Sequence, residues 1–158
     1  MNFETLGEHV ANSYVFKGSK EMPFLAPRGV FIASNHLFVS DTGRNRVFIW
    51  KDLPTNEFQE PDVILGQSDV SETERNSGGE TTAKTLQYPS GIWSNGDILI
   101  VCDAWNHRVL VWHSLPTKNG QPADIVIGQP DFNTNQPNVV GIGNDPSEKT
   151  LNWPYGVF

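Results

Sequence analysis

Apolar residues in this chain fall in short clusters cut by turn-forming residues. They occupy Val30 to Ile32, Leu37 to Ser40, Val47 to Trp50 and Val63 to Leu65, and then Ile92 to Trp93, Leu99 to Cys102, Val109 to Trp112 and Ile125 to Ile127. The clusters are rich in Val, Ile, Phe and Trp, which predicts strands. No segment keeps a 3.6-residue period beyond two turns, and Pro and Gly interrupt too often for helices. Ser34-Asn35 and Asn95-Gly96-Asp97 are tight-hairpin sequences between the first and second strand of each set. A second short turn, Asp41 to Asn45 or Asp103 to His107, joins the second and third strands. A longer loop with Leu-Pro-Thr joins the third and fourth. Each set is therefore expected to be a four-stranded antiparallel meander. Its second to fourth strands are apolar at successive positions, and successive side chains point to opposite faces, so both faces must be buried. Sheets stacked on both sides meet that demand, which gives an all-β fold of the β-propeller type.

The two sets are copies. Residues 24–70 align without a gap on residues 86–132, an offset of 62, and sixteen of the 47 positions are identical. The identities include Pro27/Pro89, Gly29/Gly91, Asp41/Asp103, Arg46/Arg108, Trp50/Trp112, Gly66/Gly128 and Gln67/Gln129. Leu151 to Phe158 matches Leu86 to Trp93 after a three-residue insertion, so a third copy begins there. Self-similarity at a fixed period sets the architecture, because each unit needs neighbours to cover its faces. The boundaries follow: 24–85 and 86–150 are repeats with their connecting loops, 151–158 starts a third, and 1–23 is an outer strand (Phe3 to Glu8) plus a linker.

The run Pro-X-Gly followed by Asp41-Thr-Gly-Arg-Asn-Arg46-Val-Phe-Ile-Trp50 resembles the NHL repeat family of β-propellers. Asp103-Ala-Trp-Asn-His-Arg108-Val-Leu-Val-Trp112 is closer still. Gly128-Gln-Pro-Asp-Phe132, after the fourth strand, looks like a long-repeat bacterial branch of that family. The resemblance covers about residues 24–158 and implies a ring of about six blades. Two complete blades cannot circle an axis, so the chain is expected to be partial, cut short at Phe158, and to self-associate on its own.

Composition narrows the partners. The net charge is -7 with 11 scattered Lys and Arg, which argues against nonspecific nucleic-acid binding. No apolar run nears the roughly 20 residues of a membrane span, and no signal peptide is visible at the N-terminus, so a cytoplasmic location is expected. Cys102 is the sole cysteine and sits in the run Ile-Leu-Ile-Val-Cys, where it reads as a small buried hydrophobe.

In a meander, the loop between the second and third strands lies at the same end as the connection to the next unit. The Asp41–Arg46 and Asp103–Arg108 turns therefore share a face with the long connections Gln67–Gln87 and Gln129–Trp153, and long loops are often functional. The pairs Asp41/Arg46 and Asp103/Arg108 recur in both units, which assigns them a structural role: closing the turn and bonding its amides. Gly29 and Gly91 allow close approach near the axis. The binding candidates are Trp105 and His107, which replace Gly43 and Asn45, with Arg44, Asn45, Gln67 and Gln129 around them. An aromatic at 105 either stacks on a partner or covers a neighbouring loop. His107 has no companion ligands, since His9, His36 and His113 fall elsewhere, so neither a metal site nor a cofactor is expected. No catalytic constellation is visible. The leading reading is a noncatalytic scaffold for a protein, peptide or small ligand. The resemblance also leaves open a metal-dependent propeller enzyme of lyase or lactone hydrolase type, whose site would lie largely in other blades.

Overall fold

The computed structural model describes residues 15–158 and is all-β apart from three short 3-10 turns. The proposed outer strand at Phe3 to Glu8 lies outside the described residues. Eight strands form two sheets of four. The first holds β1 (Gly29–Ala33), β2 (His36–Asp41), β3 (Arg46–Trp50) and β4 (Val63–Leu65). The second holds β5 (Pro89–Ser94), β6 (Leu99–Asp103), β7 (Arg108–Trp112) and β8 (Ile125–Ile127). Both are antiparallel meanders in sequence order, with Leu37 opposite Trp50 in one and Leu99 opposite Trp112 in the other. β4 and β8 begin and end where the apolar pattern places them, and the others extend the predicted runs by one to four residues.

The loop contacts repeat at the same offset of 62. Trp50 Nε1 donates to the Gln59 carbonyl at 3.0 Å, and Trp112 Nε1 to that of Gln121 at 3.1 Å. Asp62 accepts from the Lys51 amide at 2.8 Å, and Asp124 from the His113 amide at 2.7 Å. Asp62 and Asp124 thus tie the third strand to the long loop behind it, while the Gln59 and Gln121 side chains brace that loop by accepting the Thr55 and Thr117 amides at 3.3 and 2.9 Å.

The sheets stack face to face. Phe38, Val47, Ile49, Val63 and Leu65 of the first meet Ile92, Leu99, Val101, Leu110 and Trp112 of the second, and Leu86 fills in from the connection. The first strands come closest: a β-carbon placed on Gly29 falls 2.0 Å from the Ser90 carbonyl oxygen. Gly91 stands in the same relation to residues 155–157, where a β-carbon would lie 2.8 Å from the Tyr155 carbonyl oxygen. Any side chain at either position would push the neighbouring segment away.

The outer face of the first sheet is also apolar, with Leu37, Val39, Phe48, Trp50 and Ile64. It is covered by the segment before β1, where Phe16 and Phe24 pack edge-on against Trp50 at ring distances of 5.1 and 6.1 Å. Burial of both faces therefore holds for the outer strands of the first sheet. The second sheet differs. Val63 and Leu65 are fully buried, but their counterparts Ile125 and Ile127 are 40% and 51% exposed. On the second sheet the fourth-strand part of the face that the first sheet buries is open, while Cys102 and Val111 on the same face stay buried.

Candidate functional site

The end of the sheets carrying the Asp–Arg turns is built around two equivalent knots. Asp41 and Arg46 face each other across the β2–β3 turn, as do Asp103 and Arg108 across β6–β7. All four side chains are fully buried. Arg46 Nε donates to Asp41 Oδ2 at 2.9 Å, and Arg108 Nε to Asp103 Oδ2 at 2.8 Å. The remaining guanidinium nitrogens donate to loop carbonyls: Arg46 to Val70 in the long connection and Met22 in the segment before β1, Arg108 to Phe132, Thr82 and Thr85 in the long connections. Each carboxylate's second oxygen accepts the amide of a residue ahead of the first strand, Leu25 at 2.6 Å and Gln87 at 2.7 Å. This corrects the expectation that the carboxylate serves the turn's own amides: the bonded amide belongs to the strap leading into β1 or β5. Burial pushes both Asp carboxyls upward, opposed first by the Leu25 amide for Asp41 and by the Arg108 charge for Asp103. Four mutually supporting buried groups whose other polar partners are main chain and, for Asp103, the buried Asn106 amide have a structural role.

Four of the six binding candidates are held in the same framework rather than presented to solvent. Gln67 Nε2 donates to the carbonyls of Asn45 at 3.3 Å and Glu74 at 2.7 Å; Gln129 Nε2 donates to those of His107 at 3.1 Å and Gln136 at 2.9 Å. These bonds join the turn, the exit of the fourth strand and the long connection at one end. Asn45 and His107 both adopt left-handed backbone, φ 54° in each. Asn45 Oδ1 accepts the Tyr88 amide at 2.9 Å, and His107 Nδ1 accepts the Trp153 amide at 3.1 Å. His107 is thus a ring-shaped version of Asn45, a buried acceptor fixing the start of the next repeat. Burial lowers its pKa, which keeps the accepting nitrogen unprotonated. Arg44, half-buried, donates to the Pro23 carbonyl.

Trp105 is different. It sits in the 3-10 turn Ala104–Asn106, is 44% exposed, and stacks on Tyr88 with ring centroids 4.4 Å apart and planes 18° from parallel. The stack joins a turn of the second sheet to the connection that enters it, so Trp105 covers a neighbouring loop and still presents an aromatic face. Tyr88 carries no signal in the sequence, because it lies ahead of the predicted strand and nothing local marks the residue before Pro89 as a ring partner. A second unforeseen tie links the repeats: Thr42 Oγ1 donates to the Pro89 carbonyl at 2.6 Å.

Cys102 is fully buried, and its thiol is pushed up to about 11 by burial and the neighbouring Asp103. Among the described residues, no group of three or more His, Cys, Asp or Glu side chains is arranged to hold a metal ion. No described helix is long and apolar enough to cross a membrane. No protein-family model matches the chain, and no curated protein matches it significantly.

Proposed function

We propose that this chain supplies two adjoining blades of an NHL-type β-propeller in a cytoplasmic protein. Its loop-bearing end serves as a noncatalytic docking surface for a protein or peptide. The propeller reading is supported by the open face of the second sheet. Half-buried Ile100 and exposed Ile125 and Ile127 stand where the first sheet buries Phe38, Val63 and Leu65 against its neighbour. A further sheet of the same repeat fits that face, and the approach of residues 155–157 to Gly91 repeats the approach of Ser90 to Gly29. Without that neighbour, an apolar patch of this kind drives self-association.

The docking reading rests on one observation. Of the aromatic and charged groups that the sequence singles out at this end, Trp105 alone combines a rigid mount with substantial exposure. An aromatic already immobilised by stacking loses little conformational freedom on binding, which is the quality of an interface anchor. The test is a peptide display selection against the protein, followed by titration of the selected peptides. Trp105→Ala should weaken them about 30-fold, equivalent to about 2 kcal/mol, with the melting temperature little changed. Selected peptides that bind Trp105→Ala at full strength would remove the basis of this reading.

A further inference from the structure

Asn-Gly occurs twice in the chain, at 95–96 and at 119–120. The pair is chemically labile, because a glycine nitrogen unhindered by a side chain can attack the preceding asparagine's side-chain carbonyl carbon. Both asparagines are exposed, so access to solvent does not separate them. Their hydrogen bonds do. Asn119 is tied to the first repeat through every group that would have to react. Its Oδ1 accepts the Ile64 amide at 2.9 Å, its Nδ2 donates to the Ser68 carbonyl at 3.4 Å, and the Gly120 amide donates to the Ile64 carbonyl at 2.9 Å. Closing a ring there would pull the loop off the edge of β4. Asn95 instead turns the β5–β6 hairpin, and its bonds are all internal to that hairpin. Its Oδ1 accepts the amides of Asp97 and Ile98, both at 2.9 Å, and the Gly96 amide donates to Ser94 Oγ at 3.0 Å. Among the described residues, Asn95 Nδ2 has no partner. Two N–H donors aimed at one carbonyl oxygen polarise it and stabilise the negative charge that develops there when its carbon is attacked. The leaving nitrogen is free to depart.

We propose that Asn95–Gly96 is a site of covalent self-modification, converting in the folded protein to aspartate and isoaspartate while Asn119–Gly120 is held intact. The Gly96 nitrogen bonds to Asn95 Cγ, the Cγ–Nδ2 bond breaks, and Nδ2 leaves as ammonia, the proton lost by Gly96 reaching it through solvent. The product is a cyclic imide, which water opens at either carbonyl. Opening at the Asn95 main-chain carbonyl gives isoaspartate, which routes the backbone through the side chain and adds a methylene to the turn. The turn has no room for it: a β-carbon placed on Gly96 falls 2.2 Å from Ser34 Oγ of the first repeat. Conversion therefore loosens the contact between the two hairpins. None of these residues takes part in the Trp105–Tyr88 stack, so the proposal stands or falls apart from the docking surface.

The experiment incubates the full chain in mildly alkaline buffer, folded and in urea, and follows both sites by peptide mapping with mass spectrometry. Isoaspartate is scored by methyl transfer from an isoaspartyl carboxyl methyltransferase. In the folded chain the peptide carrying Asn95 should convert about tenfold faster than the one carrying Asn119, because reaction at Asn119 waits for local opening. In urea the two should convert at similar rates, since only the fold separates them. Incubation should also lower the urea midpoint of the wild type and leave that of Asn95→Gln unchanged, because the longer side chain closes its ring far more slowly. Equal rates in the folded chain, Asn119 converting first, or the same difference persisting in urea overturns the proposal. So does a wild-type midpoint that stays fixed as Asn95 converts, or one that falls equally in Asn95→Gln.

Discussion

Replacing Asp103 with Ala tests the central structural claim, that the Asp–Arg knot holds each repeat together. Asp103 accepts three hydrogen bonds, from the Gln87 amide at 2.7 Å, Asn106 Nδ2 at 2.8 Å and Arg108 Nε at 2.8 Å. Its removal leaves a fully buried guanidinium facing only the carbonyls of Phe132, Thr82 and Thr85, and strands the Gln87 N–H. Breaking a buried ion pair from one side costs about 3–5 kcal/mol, and an unmet buried amide about 1–3 kcal/mol more. These overlap, because the site relaxes, so about 4 kcal/mol is expected. That is a large part of the 5–15 kcal/mol typical of a domain. With a urea dependence of about 2 kcal/mol per molar, the unfolding midpoint should fall by about 2 M. The controls are Arg108→Met and the double variant, which removes both charges and should cost clearly less than the sum of the singles. A midpoint change below about 0.5 M for Asp103→Ala, or strict additivity in the cycle, would refute the reasoning.

Three further outcomes follow from comparing the repeats. His107 must stay unprotonated to accept the Trp153 amide, and burial lowers its pKa from the ordinary 6.5. The unfolded chain therefore takes up the proton first, and stability should be full above about pH 6.5 and decline as pH falls below it. His107→Asn, the residue at position 45, should remove that part of the pH dependence, as read by melting temperature against pH. Ser40 is fully buried with an unpartnered hydroxyl, and its counterpart is Cys102. Ser40→Cys should stabilise by about 1 kcal/mol in urea unfolding, and a loss of stability would show that the hydroxyl has a partner. Ile125→Lys with Ile127→Lys places charge on the open face of the second sheet and should shift sedimentation toward monomer. Unchanged association would mean that another surface is responsible.

Strand positions, strand order and the two-sheet division were all legible in the sequence, because they follow from local chemistry written twice. A run such as Val47 to Trp50 has no polar face to turn to water, and the repeat identifies partner strands that a single copy leaves ambiguous. The Asp–Arg pairs were legible too, since a charged pair at fixed spacing in both copies marks a framework. The exposure of each position depends on what lies above it, and only the tertiary structure decides that. Val63 and Ile125 are chemically alike, but one has a sheet stacked on it and the other does not. His107 reads as a functional substitution for Asn45, yet in place its Nδ1 performs the same task as the amide oxygen, because hydrogen bonding selects an acceptor at a point in space and not a residue type. The buried Oε1 of Gln129 is the converse case. Gln67 and Gln129 are identical in sequence, yet Gln67 Oε1 accepts from Ser77 Oγ at 3.2 Å and Gln129 Oε1 has no partner, because a buried acceptor is satisfied by what the connection folds against it.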